Sequence, residues 1–132
     1  MPRLKGIRHL RLFVLPRDWR KSLGFYGKKL GLELRHRDDA AGYAIYALSR
    51  EATLGIEKVA SKDPEDLALV GRFAGVSFGV EDIARTYREL KAKGVRFHSP
   101  PSKQPWGGTL AHLDDPAGNV LTLLQSAASR RG

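Results

Sequence analysis

Two short stretches of the chain alternate apolar residues with smaller or polar ones, and they share one pattern. The first is HLRLFV at 9–14, and the second is GVSFGV at 75–80, 66 residues later. A period of two is typical of a β-strand that buries one face in a core. The chain is therefore predicted to contain an internal repeat. The positions predicted to be buried are Leu10, Leu12, Val14, Val76, Phe78 and Val80.

A segment with helical periodicity follows each of these strands. Asp18 precedes the first segment, and Asp82 precedes the second, so each aspartate is predicted to cap the start of a helix. Gly31 and Gly94 come directly after the two segments. Glycine at that position suits the positive φ with which many helices end.

Each repeat then continues with a short strand and a hairpin. The turn of the second hairpin contains Pro116 and Gly118, which are strong turn residues. The pattern predicts an α+β fold of two tandem βαβββ modules that form a shared concave cleft. The single domain 1–132 divides into module one at 4–60, a connector at 61–71, module two at 72–126 and a tail at 127–132.

Composition then removes several classes of protein. The 132 residues include no cysteine, which excludes a disulfide scaffold, a thiolate zinc site and a cysteine nucleophile. No apolar run reaches the length of a membrane span, and the N-terminal segment lacks the features of a signal peptide, so a cytoplasmic protein without membrane contact is expected. The net charge of +9 is spread over both halves, and the aromatic residues are not interleaved with Lys and Arg. An anionic small ligand is therefore favoured over nucleic acid.

Four segments of the chain carry a resemblance to a known protein family. They are IRHLRLFV at 7–14, FYGKKLGL at 25–32, VED at 80–82 and DPAGN at 115–119. In these segments the chain resembles the vicinal oxygen chelate superfamily, which includes glyoxalase I, extradiol dioxygenases and bleomycin resistance proteins. QPWG at 104–107 is similar to a segment of the bleomycin-resistance branch. The resemblance extends from about residue 4 to 125, and it implies the two-module fold and a homodimer.

The resemblance also implies where a metal ion would be held. Metal-dependent members place four ligands, usually His, Glu or Gln, on strands of both modules. By motif, these positions fall on His9, Gly55, Gly75 and Thr122. Glycine has no side-chain atom that could coordinate a metal, and a divalent ion needs several ligand atoms. No metal cofactor is therefore expected.

In place of metal ligands, the alternation of the strands predicts a set of ligand-binding side chains that face the concave surface. Arg11 and Glu57 either hold a ligand or pair with each other. Trp106 stands in a loop beside two glycines, where it either closes over a ligand or anchors the loop. His36 and His98 are expected at the surface. The predicted ligand-binding residues are His9, Arg11, Phe13, Gly55, Glu57, Gly75, Ser77, Trp106, His112 and Thr122.

Two functions are compatible with these residues. The first is a protein similar to the bleomycin-resistance branch, which binds a small molecule in the cleft between its modules without a metal. The alternative is a metal-dependent glyoxalase-like lyase, isomerase or dioxygenase with a degenerate or relocated site, for which His9, Glu57 and His112 are candidates. The sequence identifies no catalytic residue and leaves open whether the protein is an enzyme.

Overall fold

The chain folds into two compact units, Met1–Gly71 and Arg72–Gly132. The structure, a computed structural model, describes residues 3–60 and 62–127. Each unit has a β-sheet and helical segments, so the predicted α+β fold class is confirmed. Ser61 of the predicted connector and residues 128–132 of the predicted tail lie outside the described residues. Within the described ranges, no helix is long and apolar enough to span a lipid bilayer.

Unit 1 contains a four-stranded sheet. The elements of this unit are β1 (His9–Val14), a 3₁₀ turn (Pro16–Asp18), α1 (Trp19–Gly24), a π turn (Phe25–Lys29), β2 (Leu34–Asp38), β3 (Tyr43–Ala47), β4 (Thr53–Lys58) and α2 (Pro64–Leu67). The sheet order is β1-β4-β3-β2. Strand β1 runs parallel to β4, and the other neighbours are antiparallel.

Unit 2 repeats this pairing, because its first strand again lies parallel to its last. The elements of this unit are β5 (Phe73–Gly79), α3 (Ile83–Ala92), β6 (Arg96–Phe97), β7 (Ser102–Lys103), β8 (Thr109–Asp114) and β9 (Val120–Gln125). The sheet order is β5-β9-β8-β6, and the short strand β7 also pairs with β8.

One face of each sheet forms a core with its helical segment. In unit 1, Val14 and Ile56 are fully buried, and the Tyr46 hydroxyl donates a hydrogen bond to the Leu23 carbonyl of α1 at 3.1 Å. In unit 2, the Ile83 amide at the start of α3 donates to the buried Gln125 side chain at 2.8 Å. The apolar half of each strand's alternation therefore faces the helix.

The two predicted helix caps have different outcomes. Asp82 has an extended backbone, and its carboxylate accepts a hydrogen bond from the Arg85 amide, as predicted. The prediction for Asp18 is wrong, since it ends a 3₁₀ turn at φ −100° and ψ 2°, and its side chain caps nothing. A capping residue needs an extended backbone to aim its oxygen at the first turn. Gly31 and Gly94 have φ of 76° and 87°, as predicted for the residues after the helices.

Asp115 holds the turn between β8 and β9. The residue is 3% exposed, and its carboxylate accepts hydrogen bonds from the Ala117 amide at 2.9 Å, the Asn119 amide at 2.9 Å and the Asn119 side chain at 3.0 Å. Asn119 in turn accepts a hydrogen bond from the Arg72 amide, which leads into β5. The turn and the start of the first strand of unit 2 therefore depend on one carboxylate.

We predict that Asp115→Ala lowers the free energy of unfolding by about 2–3 kcal/mol, because it leaves buried donors without an acceptor. Urea unfolding followed by circular dichroism measures this change. Glu89→Ala is the control in the same unit, since Glu89 is exposed and forms an i,i+4 pair with Arg85 on the surface of α3. Equal destabilisation by both substitutions would contradict the assignment.

Candidate functional site

The sheet of unit 1 is called sheet 1, and the sheet of unit 2 is called sheet 2. The face of each sheet that points away from its helical segment is called its open face. On sheet 1, this face carries His9, Arg11 and Phe13 of β1, because Leu12 and Val14 are buried on the other side. The parallel register sets these residues beside the matching positions of β4. The open-face pairs are His9 with Thr53, Arg11 with Gly55, and Phe13 with Glu57.

The His9 ring packs against Gly55, which has no side chain. Its Nδ1 is 2.7 Å from the Thr53 hydroxyl. A Cβ added to Gly55 would stand 2.8 Å from His9 Nε2 and 3.0 Å from Cε1, closer than real Cβ atoms approach. The imidazole thus occupies space that a side chain at position 55 would need. Gly55 is buried as a result, although it lies on the open face.

Arg11 and Glu57 form a bidentate ion pair across β1 and β4. Arg11 Nε donates to Glu57 Oε2, and Nη2 donates to Oε1 at 2.8 Å. The guanidinium carbon also lies 5.3 Å from the centre of the Phe13 ring, within the range of a cation–π contact. The hydrogen bonds from Arg11 lower the pKa of Glu57, against the opposing effect of partial burial. The charge of Arg11 is therefore balanced within the open face.

The open face of sheet 2 is organised around His112. Its Nδ1 is 2.8 Å from the hydroxyl of Thr122, which pairs with it across β8 and β9. The ring of Phe73 meets the His112 ring edge-on, with 5.7 Å between their centres, although Phe73 is 64% exposed. Ser77 pairs with Thr122 from the other side and is exposed. An aromatic ring, an imidazole and two hydroxyl residues therefore share this face.

Gly75 lies in a bulge of β5. Three residues separate Phe73 from Ser77, whereas one residue separates their partners Val120 and Thr122 on β9. Gly75 has a φ of 71°, which a residue with a side chain rarely adopts. The bulge therefore favours glycine at this position, whatever the chemistry of the neighbouring side chains.

His98 belongs to the same face and was not predicted to have a role. Its Nε2 is 2.6 Å from Asp114 Oδ1, and its ring centre is 6.2 Å from that of His112. No sequence pattern indicates this contact, since it depends on the pairing of β6 with β8. Phe73 was also missed, but the alternation that includes Gly75 and Ser77 would have included it if extended by one step.

Trp106 lies across the loop that carries it. The ring is so close to Gly108 that a Cβ there would stand 2.0 Å from Cζ3, yet Trp106 is 61% exposed. A turn holds this loop, with the Gly107 amide donating to the Gln104 carbonyl at 2.9 Å. Trp106 is therefore an exposed aromatic surface supported by a glycine backbone.

The structure groups the predicted residues by unit. His9, Arg11, Phe13, Gly55 and Glu57 share the open face of sheet 1. In unit 2, the open face carries the predicted residues Ser77, His112 and Thr122, Gly75 lies in the bulge of β5, and Trp106 lies in the loop after β7. Within the described parts of the chain, no three His, Asp or Glu side chains are grouped as metal ligands. A contact between these residues and a ligand stays a prediction.

We predict that Arg11→Ala raises the pKa of Glu57 toward its ordinary value of 4.5. A lowered carboxyl pKa stabilises the native state above pH 4.5, and this stabilisation is lost as the pH falls through the native pKa. Carbon-detected NMR titration of the Glu57 carboxyl measures the change. Arg8→Ala is the control, since Arg8 precedes β1 and its exposed side chain pairs with Glu51 in the segment between β3 and β4. An unchanged Glu57 titration in Arg11→Ala would contradict the prediction.

Comparison with known proteins gives one consistent family. The sequence profile of the Glyoxalase/Bleomycin resistance protein/Dioxygenase superfamily matches residues 6–123. A bleomycin resistance protein of Klebsiella pneumoniae is 32% identical over 118 residues, which cover 83% of this chain and 86% of that protein. A probable lactoylglutathione lyase of Synechocystis is 30% identical over 121 residues, with 86% and 91% covered.

A solved structure supports the same fold. A superfamily member from Sphaerobacter thermophilus is 24% identical, has a TM-score of 0.77, and is matched over 93% of this chain and 98% of its own. The profile spans nearly the whole chain, and both of these relatives are at least 30% identical to it. The resemblance predicted from the sequence is confirmed, and the chain belongs to the glyoxalase/bleomycin resistance protein/dioxygenase superfamily.

Proposed function

We propose that this protein binds a small organic molecule through the open faces of its sheets, without a resident metal ion. The observation that carries the proposal is the open face of sheet 1. There, Arg11, Glu57 and His9 are held in place by neighbours beside the ring of Phe13. Ligand sites typically combine apolar walls with a few positioned polar groups. A homodimer and a cytoplasmic location stay predictions.

The ion pair refines the chemistry of the ligand. A guanidinium has five N–H donors, and Glu57 takes two of those of Arg11, so three are left for a ligand. Glu57 balances the charge, so this face favours a ligand with hydrogen-bond acceptors on an aromatic or aliphatic frame. Anionic and uncharged ligands are therefore both included in the binding experiment below.

The residues at the four family metal positions do not fit a divalent ion. His9 directs Nδ1 to Thr53 and packs Nε2 against Gly55. Gly75 supplies no donor and lies in a bulge. The fourth position, Thr122, is buried and bonded to an imidazole of its own sheet. One imidazole does not hold an ion that needs three or four ligands, so no step of the proposed function involves a metal.

The second candidate is a metal-dependent glyoxalase-like lyase, isomerase or dioxygenase. The similarity to the probable lactoylglutathione lyase of Synechocystis favours it. This activity would need a donor set other than the four family positions. Metal content therefore separates the two candidates.

We predict saturable binding of at least one member of a panel of aromatic carboxylates, phosphate esters and uncharged amides. Saturation-transfer NMR identifies the binder, and ¹⁵N-edited titration gives its dissociation constant. Arg11→Ala or Trp106→Ala should weaken this binding about tenfold or more, the loss expected for a charge-assisted hydrogen bond or a buried aromatic contact.

Arg88→Ala is the matched control for this experiment, because Arg88 is an exposed residue of α3. It removes the same charge as Arg11→Ala and should leave the dissociation constant unchanged. Unchanged binding in both Arg11→Ala and Trp106→Ala would overturn the assignment of the open faces.

We also predict that the purified, untagged protein retains no stoichiometric metal after dialysis against nickel, zinc, manganese and iron(II). Elemental analysis measures the metal-to-protein ratio. One equivalent of metal that is lost in His9→Ala would overturn the metal-free proposal and favour the second candidate.

A further inference from the structure

A cleft lies on the helix side of unit 1, against the opposite surface of the sheet from its open face. It is called the helix-side cleft, and it has a volume of about 390 Å³. Leu23, Gly24 and Gly27 of the helical segment form one wall, and Tyr46 of β3 forms the floor. Its volume is within the range of small-ligand sites. The proposed function does not use this cleft.

The rim of the helix-side cleft is cationic. Arg20, Lys28 and Arg37 line it, and no acidic residue does. Among the described residues, neither the Arg20 nor the Lys28 side chain has a hydrogen-bond or ion-pair partner. Two positive charges are therefore unbalanced at the mouth of one small cleft, in contrast to the paired arginine on the open face.

Arg37 is held in a fixed orientation by Asp39. Its Nε and Nη2 donate to the two Asp39 carboxylate oxygens at 2.7 and 3.0 Å, which leaves three of its five N–H donors unused by that pair. The Trp19 indole also donates to Asp39, at 3.2 Å. The hydrogen bonds from Arg37 and Trp19 lower the pKa of Asp39, which keeps the pair charged. A fixed guanidinium suits the oxygens of a carboxylate or phosphate.

The inner part of the cleft is apolar. Tyr46 is 2% exposed, and its hydroxyl hydrogen is donated to the Leu23 carbonyl, so it is not available to a ligand. Gly27 adds no side chain to this part of the cleft, where a Cβ would stand 3.6 Å from Tyr46 Cε1. At the mouth, Leu34 is 46% exposed. A ligand that fits this gradient has an apolar group inside and an anionic group at the rim.

We propose that the helix-side cleft binds a small amphipathic anion: a carboxylate or phosphate attached to a compact apolar group such as one aromatic ring. Arg20, Lys28 and Arg37 would bind the anionic group, and the accessible surface formed by Gly24, Gly27 and Leu34 would contact the apolar group. A nucleic-acid strand fits less well, because an extended backbone needs a groove along which successive phosphates are contacted.

The test uses four probes with the full-length, ¹⁵N-labelled protein: phenyl phosphate, benzoate, inorganic phosphate and benzyl alcohol. Phenyl phosphate or benzoate should shift the amide resonances of Gly24 and Gly27 saturably, and the stronger of the two identifies the anionic group. Inorganic phosphate and benzyl alcohol should each bind at least tenfold more weakly, since each lacks half of the recognised chemistry. Equal affinity for benzyl alcohol and for both aromatic anions would overturn the proposal.

Three variants locate the site. Lys28→Gln should weaken binding of the better probe about fivefold or more, whereas Arg88→Gln removes the same charge from α3 and should have no effect. Gly27→Ala should also weaken binding, because its methyl group makes an ordinary contact with Tyr46 and fills the inner part of the cleft. Thermal unfolding checks that each variant is folded.

The results distinguish this cleft from the other surfaces of the protein. Equal losses in Lys28→Gln and Arg88→Gln would indicate non-specific attraction and overturn the proposal. Saturable shifts at Gly55 without shifts at Gly24 and Gly27 would place the anion on the open face, which overturns the inference but supports the proposed function. Tighter binding of duplex DNA than of either aromatic anion, with shifts at Gly24 and Gly27, would assign the cleft to a polyanion and would also overturn it.

Discussion

The parallel pairing of the first and last strands of each unit is the constraint on which the other features depend. It requires the chain to cross the sheet through a helical segment before the last strand is added. In unit 1, it aligns Arg11 with Gly55 and Phe13 with Glu57, which brings the ion pair together from residues 46 positions apart. A slip of one residue in β1 would turn Leu12 to the open face and Arg11 to the core. The buried residues Leu12 and Val14 therefore fix the register that brings Arg11 and Glu57 together.

Features that depend on local chemistry could be predicted from the sequence. The alternation of 9–14 is sufficient to separate Leu12 and Val14 from His9 and Arg11, because a strand has only two faces. The turn at Asp115 and the glycine after each helix likewise depend on a few neighbouring residues. Asp18 shows where this reasoning fails, since the 3₁₀ turn before α1 gives it a backbone that a capping residue cannot use.

Features that depend on residues distant in sequence could not be predicted. The pair of His98 and Asp114 requires the register of β6 against β8, and each side chain alone is unremarkable. The helix-side cleft requires that Arg37 of β2 lie beside the turn that carries Lys28. The net charge of +9 likewise does not distinguish Arg11, which is balanced by Glu57, from Arg20, which has no such partner within residues 3–60 and 62–127.

The π turn at Phe25–Lys29 has a consequence for how this helical segment tolerates change. The Leu30 amide bonds to the carbonyl of Phe25, five residues earlier, so the turn holds one residue more than an α-helix would. Each residue of an α-helix advances by about 100° around the axis. The extra residue therefore sets the angular phase of all that follows it, Lys28 included, without moving Trp19 or Leu23. A one-residue deletion after Tyr26 would leave α1 and its buried residues Trp19 and Leu23 in place but would rotate the residues that follow, so the direction of the last turn is set separately from the position of α1.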